Sequence, residues 1–283
     1  MVRPSRESPL RQVTAEASLL GGAGYAVLLQ IAHPSVARGV GDHSTFATRP
    51  FARLIGTLYY VYGTVYGTDA ERERLHAIVR AMHKKVTGPG YRALDDDLLL
   101  WVAATLCHQG ARLYGMTMGG LDDEEYAAYV REAAVLGTAL GLSEEAWPAG
   151  PAEFDAYWAE QTARLKIGDE AREITRQLFH PQQPLLRILM PLQQLLTTGL
   201  LSPEMREAFG LPWSDRRQRV FDAVVATTRT VYPRLPRSVR TLPATLCLRS
   251  MRRNGGWVRP RRRGRGSGRV ASGQPAAAGP AGA

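Results

Sequence analysis

Apolar residues recur at helical spacing along most of this chain, and alternating strand patterns are hard to find anywhere in it. Turn signals such as Gly88-Pro89-Gly90 and Trp147-Pro148 separate the periodic segments. No internal repeat appears, so residues 10–250 are predicted to form a single all-α domain. Helices are predicted over residues 17–31, 50–67, 70–86, 95–114, 122–140, 151–167, 169–179, 184–197, 203–209 and 214–231.

Two of the predicted helices have compositions that suit burial. Residues 17–31 are apolar and uncharged, yet they fall short of the ~20 residues that a membrane span needs. They are predicted to end at His33-Pro34, because a residue before proline is pushed away from helical geometry. Residues 95–114 begin with three aspartates, which suit the positive end of a helix dipole, and continue as a segment that is apolar all round. This second helix is therefore expected to be buried on every side.

Charge is distributed unevenly along the chain. The formal net charge is +10, yet the last acidic residue is Asp222, and residues 223–283 contain 13 Arg with no Lys, Asp or Glu. Residues 251–283, rich in Gly, Pro, Ala and Arg, offer almost nothing to bury and are predicted to form a disordered basic tail. Contact of Arg261–Arg263 with nucleic acid or an anionic membrane is one interpretation of this tail, but a simply solvated tail is favoured.

Cysteine use and missing motifs exclude several classes of protein. Cys107 and Cys247 are too few for a disulfide scaffold or a Cys-rich zinc module. No apolar run follows the charged N-terminal residues, so no secretory signal is predicted and a cytoplasmic location is expected. The motifs of nucleotide, serine-hydrolase and zinc-protease sites are missing, as are the paired helical Glu-x-x-His motifs of di-iron bundles. The placement of the histidines is then the strongest remaining indication of chemistry.

His83 is the first candidate ligand. It follows the predicted core-facing Met82 and lies four residues after Val79, at the edge of the apolar stripe of its helix. A neutral imidazole there can bind iron through one nitrogen while a hydrogen bond orients the other nitrogen. Lys84 and Lys85 would suit acidic groups such as haem propionates. Helical position alone favours the alternative, a half-buried histidine with a local hydrogen bond.

The other histidines have weaker claims to a ligand role. His33 precedes a proline at a helix end, where a ring nitrogen can satisfy free backbone carbonyls, so a structural role is predicted. His108 shares a face with Trp101 and is the competing buried ligand. His76 is predicted to be exposed on the polar side of its helix, and His43 has turn neighbours that indicate a loop.

Arg53 and Thr57 are four residues apart and are predicted to project from one helix face. The residues around them are apolar and aromatic. An arginine and a hydroxyl on such a face could bind an anion or a polarised oxygen. The alternative is an arginine that pairs with a carboxylate at the domain surface.

Four segments, taken in order, resemble a known family. They read AHPSVARGVGDHSTF, RPFARLIGT, MHKKVTG and YRALDDDLLLWVAATL, and they are similar to the rubber oxygenase (latex-clearing protein) and mycophenolic-acid-pathway oxygenase family over about residues 15–250. The resemblance implies an all-α, globin-like fold that holds a b-type haem, with His83 as the proximal iron ligand. It also implies O₂-dependent cleavage of carbon–carbon double bonds in isoprenoid chains, with Arg53 and Thr57 supporting the haem and its distal surroundings.

The chain departs from the family pattern at several positions. Gly56 stands where rubber oxygenases have a lysine directly before the threonine. No carboxylate lies between Glu16 and Asp42, so an upstream glutamate proposed as a base has no obvious counterpart. Trp101 is retained, whereas Ala103 replaces a histidine that is common in relatives. Because no export signal is seen, a small intracellular isoprenoid or lipid-like alkene is expected as substrate rather than polymeric rubber.

Three functional hypotheses follow. The leading one is a haem b-dependent oxygenase that acts with O₂ on an apolar alkene, with His83 as the axial ligand. The second is a non-haem iron enzyme whose metal is held by His33, His43 and Asp42 with His83 or His108, since a facial triad needs two histidines and a carboxylate. The third is a non-enzymatic binding protein that uses its Arg-rich tail to contact nucleic acid or a membrane.

Overall fold

A computed structural model describes residues 8–43, 50–181 and 183–253. These residues form fifteen α-helices and one antiparallel hairpin of two short strands, β1 (Thr87–Gly88) and β2 (Tyr91–Arg92). The helices are α1 (Pro9–Ala15), α2 (Ala23–Ile31), α3 (Pro34–His43), α4 (Pro50–Tyr66), α5 (Asp69–His83), α6 (Asp96–Met118), α7 (Asp123–Ala133), α8 (Val135–Thr138), α9 (Pro151–Arg164), α10 (Asp169–Phe179), α11 (Pro184–Leu200), α12 (Pro203–Ala208), α13 (Asp215–Val231), α14 (Arg237–Arg240) and α15 (Leu242–Arg253). Short 3-10 turns occupy Ala17–Gly22, Glu144–Ala146 and Tyr232–Arg234.

The prediction of a single all-α domain is confirmed. Residues 251–253, predicted as the start of the disordered tail, form the last turn of α15. The rest of the predicted tail, residues 254–283, lies outside the described residues.

Helix α6 lies between the two main hydrophobic clusters. Ala103 and Cys107 pack into a cluster built with α1, α4, α5, α7 and α8. Trp101 and Leu113 pack into a second cluster, built with α2, α3, α10, α11 and α13. Apolar contacts on both sides explain why residues 98–106 of α6 have no polar face, as the sequence predicted. The helix ends at Gly119, which has a φ of 101° that favours glycine.

Helices α4 and α15 enclose a third, smaller cluster. Tyr59 and Tyr62 of α4 pack against Cys247 and Met251 of α15. Gly63 allows this close approach, because a Cβ there would come within 3.1 Å of the Met251 sulfur and 2.3 Å of a Leu75 methyl group. The C-terminal helix is therefore fixed to the back of α4.

Several element boundaries differ from the sequence predictions. Helix α5 ends at His83 and not at residue 86, because the chain turns there into the β1–β2 hairpin. Helix α3 was not predicted, although Pro34 at its first position suits a helix start. Helices α1 and α15 were also missed; α1 is short and depends on a cap by Ser8, whose side chain accepts a hydrogen bond from the Arg11 backbone.

Among the described residues, no single helix has the length and apolar composition of a membrane span. The segments Ala17–Ile31 and Pro34–Asp42 meet that test only as a pair, and they are bent by 105° at the break between them.

Candidate functional site

Helices α4 and α5 form an antiparallel pair that carries the candidate site. Thr68 caps α5, since its side chain accepts a hydrogen bond from the Glu71 backbone and the Glu71 carboxylate accepts one from the Thr68 backbone. Arg72 then donates to the carbonyl oxygens of Thr64 (2.8 Å) and Val65 (3.2 Å), the last turn of α4. These contacts fix the register of the two helices at their closed end.

The same register brings the predicted site residues to one end of the pair. The Thr64 hydroxyl and Nε2 of His76 are 3.0 Å apart at the closed end. Two turns further from that end, the antiparallel pairing brings Thr57 of α4 level with His83 of α5, and Arg53 lies one turn beyond Thr57. The charge of Arg53 acts on His83 and lowers the pKa of its imidazole. The three residues singled out from sequence therefore lie at the open end of one helix pair.

The His83 ring is oriented by its own helix. Nδ1 lies 2.9 Å from the carbonyl oxygen of Val79, one turn earlier. A carbonyl oxygen only accepts, so Nδ1 carries the proton and donates it, and Nε2 keeps its lone pair. Burial lowers the pKa of His83, the hydrogen bond to Val79 opposes that shift, and the charge of Arg53 lowers the pKa further. Among the described residues, none forms a hydrogen bond with Nε2 of His83.

The face of α4 beside His83 is open. Thr57 is exposed, and a Cβ on Gly56 would meet no atom of the described residues within 4 Å. Arg53 keeps solvent contact, yet enough of the chain surrounds it for burial to lower the pKa of its guanidinium. Because Arg53, Gly56 and Thr57 are three and four residues apart, they share this face. The open end of the pair can therefore accept a group that contacts both helices.

Two details of α5 correct the sequence analysis. Met82, predicted to face the core, is 56% exposed. His76, predicted to be exposed, is buried against Thr64, and its ring meets the edge of the Tyr60 ring at a centroid distance of 6.2 Å. The buried stripe of α5 is centred on Leu75 and Val79, so His76 lies inside it and Met82 lies past its end.

His76 predicts a pH dependence of stability. Burial first, and then the charges of Arg80 and Arg72, lower its pKa from 6.5 to about 4. Below pH 6.5 the unfolded chain therefore binds a proton that the folded chain does not, so stability is complete above that pH and falls as the pH drops towards about 4. We expect the free energy of unfolding of His76→Gln to fall less steeply between pH 6 and 5 than that of the wild type. The difference in slope is up to about 1.4 kcal/mol per pH unit, measured by urea unfolding.

A matched variant is available for this test. His180 is an exposed histidine directly after α10, and His180→Gln removes a histidine without affecting the buried contact of His76 with Thr64. Equal slopes for the wild-type and His76→Gln proteins would contradict a neutral, buried His76.

His108 is held in an aromatic stack. Its ring lies 3.8 Å from the Trp158 ring at an angle of 7°, and Trp101 stacks on the same indole at 5.4 Å, so His108 and Trp101 share a face as predicted. Arg112 donates to the Tyr25 hydroxyl (2.8 Å), which lies 3.3 Å from Nε2 of His108 and can donate its own proton there. Burial and the charge of Arg112 lower the pKa of His108 to about 4. These contacts occupy Nε2 of His108, one of the two nitrogens through which a histidine can bind a metal.

The remaining sequence candidates have structural partners. Nδ1 of His33 accepts a hydrogen bond from the Ser35 backbone at 3.3 Å. The ring therefore caps the start of α3; it does not satisfy the free carbonyls at the end of α2, the role that the sequence predicted. Asp42 accepts a hydrogen bond of 2.7 Å from the Tyr91 hydroxyl, and the His43 side chain lies outside the described residues. Within the described part of the chain, no group of three His, Cys, Asp or Glu side chains is arranged to hold a metal ion. The non-haem hypothesis gains no support from these positions.

The structure gives Glu16 a partner that the sequence analysis missed. Its buried carboxylate pairs with Arg240 and accepts a hydrogen bond of 2.9 Å from the Tyr232 hydroxyl. These partners are 224 and 216 residues away in the chain, so no local pattern could reveal them. Ala103 is buried where α6 meets α8, and a Cβ on Gly137 would lie 3.4 Å from the Ala103 Cβ.

The chain is similar to known proteins over most of its length. The family described as "ER-bound oxygenase mpaB/B'/Rubber oxygenase, catalytic domain" matches residues 10–230. Two uncharacterized proteins, one from Mycobacterium bovis and one from Mycobacterium tuberculosis, are each 32% identical over 216 residues, which cover 72% of this chain and 84% of theirs. No solved structure matches the chain, so the globin-like arrangement implied by the resemblance stays a prediction.

Proposed function

Because this chain belongs to the family of ER-bound oxygenase mpaB/B' and rubber oxygenase catalytic domains, we propose that it is a haem b-dependent oxygenase. The family resemblance inferred from the four sequence segments is confirmed, and the chain is an oxidoreductase. In the proposal, His83 is the axial ligand of the iron, and the substrate is an apolar alkene of isoprenoid or lipid-like type that reacts with O₂.

The hydrogen bond between Nδ1 of His83 and the Val79 carbonyl oxygen carries the proposal. It selects the tautomer in which Nε2 is unprotonated and prevents the ring from turning away. A hydrogen bond on the second nitrogen is also the usual support of a histidine that binds a metal. The lowered pKa keeps the imidazole neutral near pH 7, as ligation requires.

The surroundings of His83 fit the other parts of a haem. Lys84 and Lys85 are exposed directly after the ligand, and Arg53 adds a third positive charge at the same end of the helix pair. Carboxylate groups such as haem propionates would pair with these charges. Among the described residues, none approaches a Cβ on Gly56 within 4 Å, and an apolar ring system would lie beside α4 there.

Bound haem would supply an iron centre that activates O₂, and the residues of this chain would control what reaches it. Thr57 offers a hydroxyl that can donate a proton in a hydrogen bond to a polarised oxygen. The half-buried side chain of Leu54 follows Arg53 on the same helix turn and would exclude water from an apolar substrate, whereas Ile55 and Leu58 pack against the cluster between α4 and α15. Glu16 is held by Arg240, so it is not available as a base at this site.

A visible absorption spectrum of the purified oxidised and reduced protein tests the proposal. Expression needs an adequate supply of iron and haem. A strong Soret band that shifts on reduction is the expected result. If no porphyrin band appears even after reconstitution with haem, the proposal is wrong.

Substitution of Arg53 tests its role beside the haem. Arg53→Ala is expected to weaken haem retention about tenfold, because one charge-assisted contact to a carboxylate is lost. The haem-free protein is expected to stay folded, since the Arg53 side chain keeps solvent contact. Haem titration and thermal unfolding measure the two effects separately. Arg53→Lys should retain part of the affinity, and an unfolded Arg53→Ala protein would show that the role of Arg53 is structural.

A further inference from the structure

The C-terminal helices expose an unusual combination of side chains. Leu242 and Leu246 of α15 are 46% and 53% exposed, and Val239 of α14 is 50% exposed. Arg249 and Arg253 are also exposed on α15. Scattered exposed apolar residues are common, but these occur together on the last two helices.

The two sides of α15 differ sharply. Leu242, Leu246, Arg249 and Arg253 follow one another at intervals of three and four residues, so they form one stripe along the helix. The opposite side, which includes Cys247, is buried against α4. We call the outer stripe the basic apolar face. It is the face of α15 that points away from the protein.

Ion pairs hold α14 and α15 in place but leave this face unneutralised. Arg240 pairs with Glu16, and Arg252 donates to Glu71 through two nitrogens. Arg249 and Arg253 have no carboxylate partner among the residues that the structure describes. No acidic residue follows Asp222 in the sequence, and six further arginines follow residue 253. The positive charge of the face is therefore not balanced by its own part of the chain.

We propose that the basic apolar face binds the surface of an anionic lipid bilayer. Arginine on such a face pairs with lipid phosphates and carboxylates, while leucine side chains enter the boundary between head groups and acyl chains. A nucleic acid would use the arginines but would give Leu242 and Leu246 nothing apolar to contact. The apolar side chains beside the arginines thus favour a lipid surface.

Docking in this orientation has a structural consequence. The inner side of α15 packs on α4, and the Tyr59 hydroxyl lies 2.7 Å from the Ser250 hydroxyl. A bilayer bound to the outer side would lie one helix diameter from α4, the helix that carries Arg53 and Thr57. The docking proposal itself does not depend on haem binding or on His83.

Vesicle co-sedimentation of the full chain tests the proposal. The vesicles contain phosphatidylcholine alone or phosphatidylcholine with about one-third phosphatidylserine. We expect binding to the anionic vesicles, with little binding to the neutral ones and a loss of binding as salt is raised. Leu242→Ser/Leu246→Ser and Arg249→Glu/Arg253→Glu should each weaken binding at least about tenfold, since apolar insertion and charge both contribute.

A matched control lies at the start of α13. Val220 is 46% exposed, as Leu242 is, and Arg216 lies one turn before it. Arg216→Glu/Val220→Ser should leave binding to anionic vesicles within about twofold of wild type, because these residues lie outside the proposed face. Circular dichroism melts of all variants show that each is folded.

Two results with vesicles would overturn the proposal. The first is that the wild-type chain does not bind anionic vesicles. The second is that the leucine variant binds anionic vesicles as tightly as the wild type does, which would show that only the arginines contact the bilayer. Duplex DNA is tested in parallel; a tighter interaction with DNA that the arginine variant loses and the leucine variant keeps would identify the partner as nucleic acid.

Discussion

His83→Ala is expected to abolish haem binding. If His83 supplies the axial nitrogen, its removal leaves the iron without a protein ligand, and Arg53 with the neighbouring lysines can hold only the edge of the group. Loss of a residue that merely supports a metal ligand already costs about 10–100-fold in metal affinity, so loss of the ligand should cost at least about 100-fold. Pyridine haemochrome assay after reconstitution measures the bound haem.

The chain offers a close control for this experiment. Nδ1 of His180 lies 2.8 Å from the carbonyl oxygen of Arg176, the same bond to the preceding turn that His83 makes, but His180 is exposed. His180→Ala should therefore retain full haem occupancy. Circular dichroism should show both variants folded, since neither side chain belongs to a hydrophobic cluster.

Full haem occupancy in His83→Ala would move the ligand elsewhere. His108→Ala is then the decisive variant, because His108 is the competing buried histidine. Its Nε2 already faces the Tyr25 hydroxyl and its ring is stacked on Trp158, so we expect His108→Ala to keep haem. A haem-loaded His83→Ala protein with the same visible absorption spectrum as the wild type would refute the assignment of His83 as the iron ligand.

The sequence predicted the fold well where single helices have strong patterns. The apolar segment of α6 was placed correctly, because a helix between two clusters must be apolar on all sides. The pairing of α4 with α5 was not predicted, yet it makes Arg53, Thr57 and His83 neighbours. Helical periodicity shows which face of a helix is buried but not which helix it meets.

The errors at the candidate site have the same origin. Leu75 and Val79 were assigned correctly to the buried stripe of α5, while Met82 and His76 were exchanged between its faces. A stripe inferred from residue spacing covers about a third of the helix circumference. Whether a residue at its edge is buried therefore depends on the neighbouring helix. For His76 that neighbour is Thr64, which supplies the polar partner a buried imidazole needs.

The Glu16–Arg240 pair should dominate the stability of the C-terminal region. The side chains of Glu16 and Arg240 are 7% and 14% exposed, and the pair joins the N-terminal part of the chain to α14. Arg240→Leu would leave the Glu16 carboxylate buried with the Tyr232 hydroxyl as its remaining partner. Removing one partner of a buried pair costs about 3–5 kcal/mol. We expect a loss of this size in the free energy of unfolding, measured with urea.

Two further variants separate the buried charge from ordinary loss of contact. Arg252→Leu removes an arginine from the more exposed pair with Glu71, where the side chains are 50% and 27% exposed, and should cost about 1 kcal/mol or less. Glu16→Gln/Arg240→Leu removes both charges, and it should recover a large part of the stability that Arg240→Leu loses. If the double variant is no more stable than Arg240→Leu, the cost arises from lost packing of the arginine stem. Recovery would instead show that α14 and α15 are held to the N-terminal segment by a charge pair that neither end of the chain can supply alone.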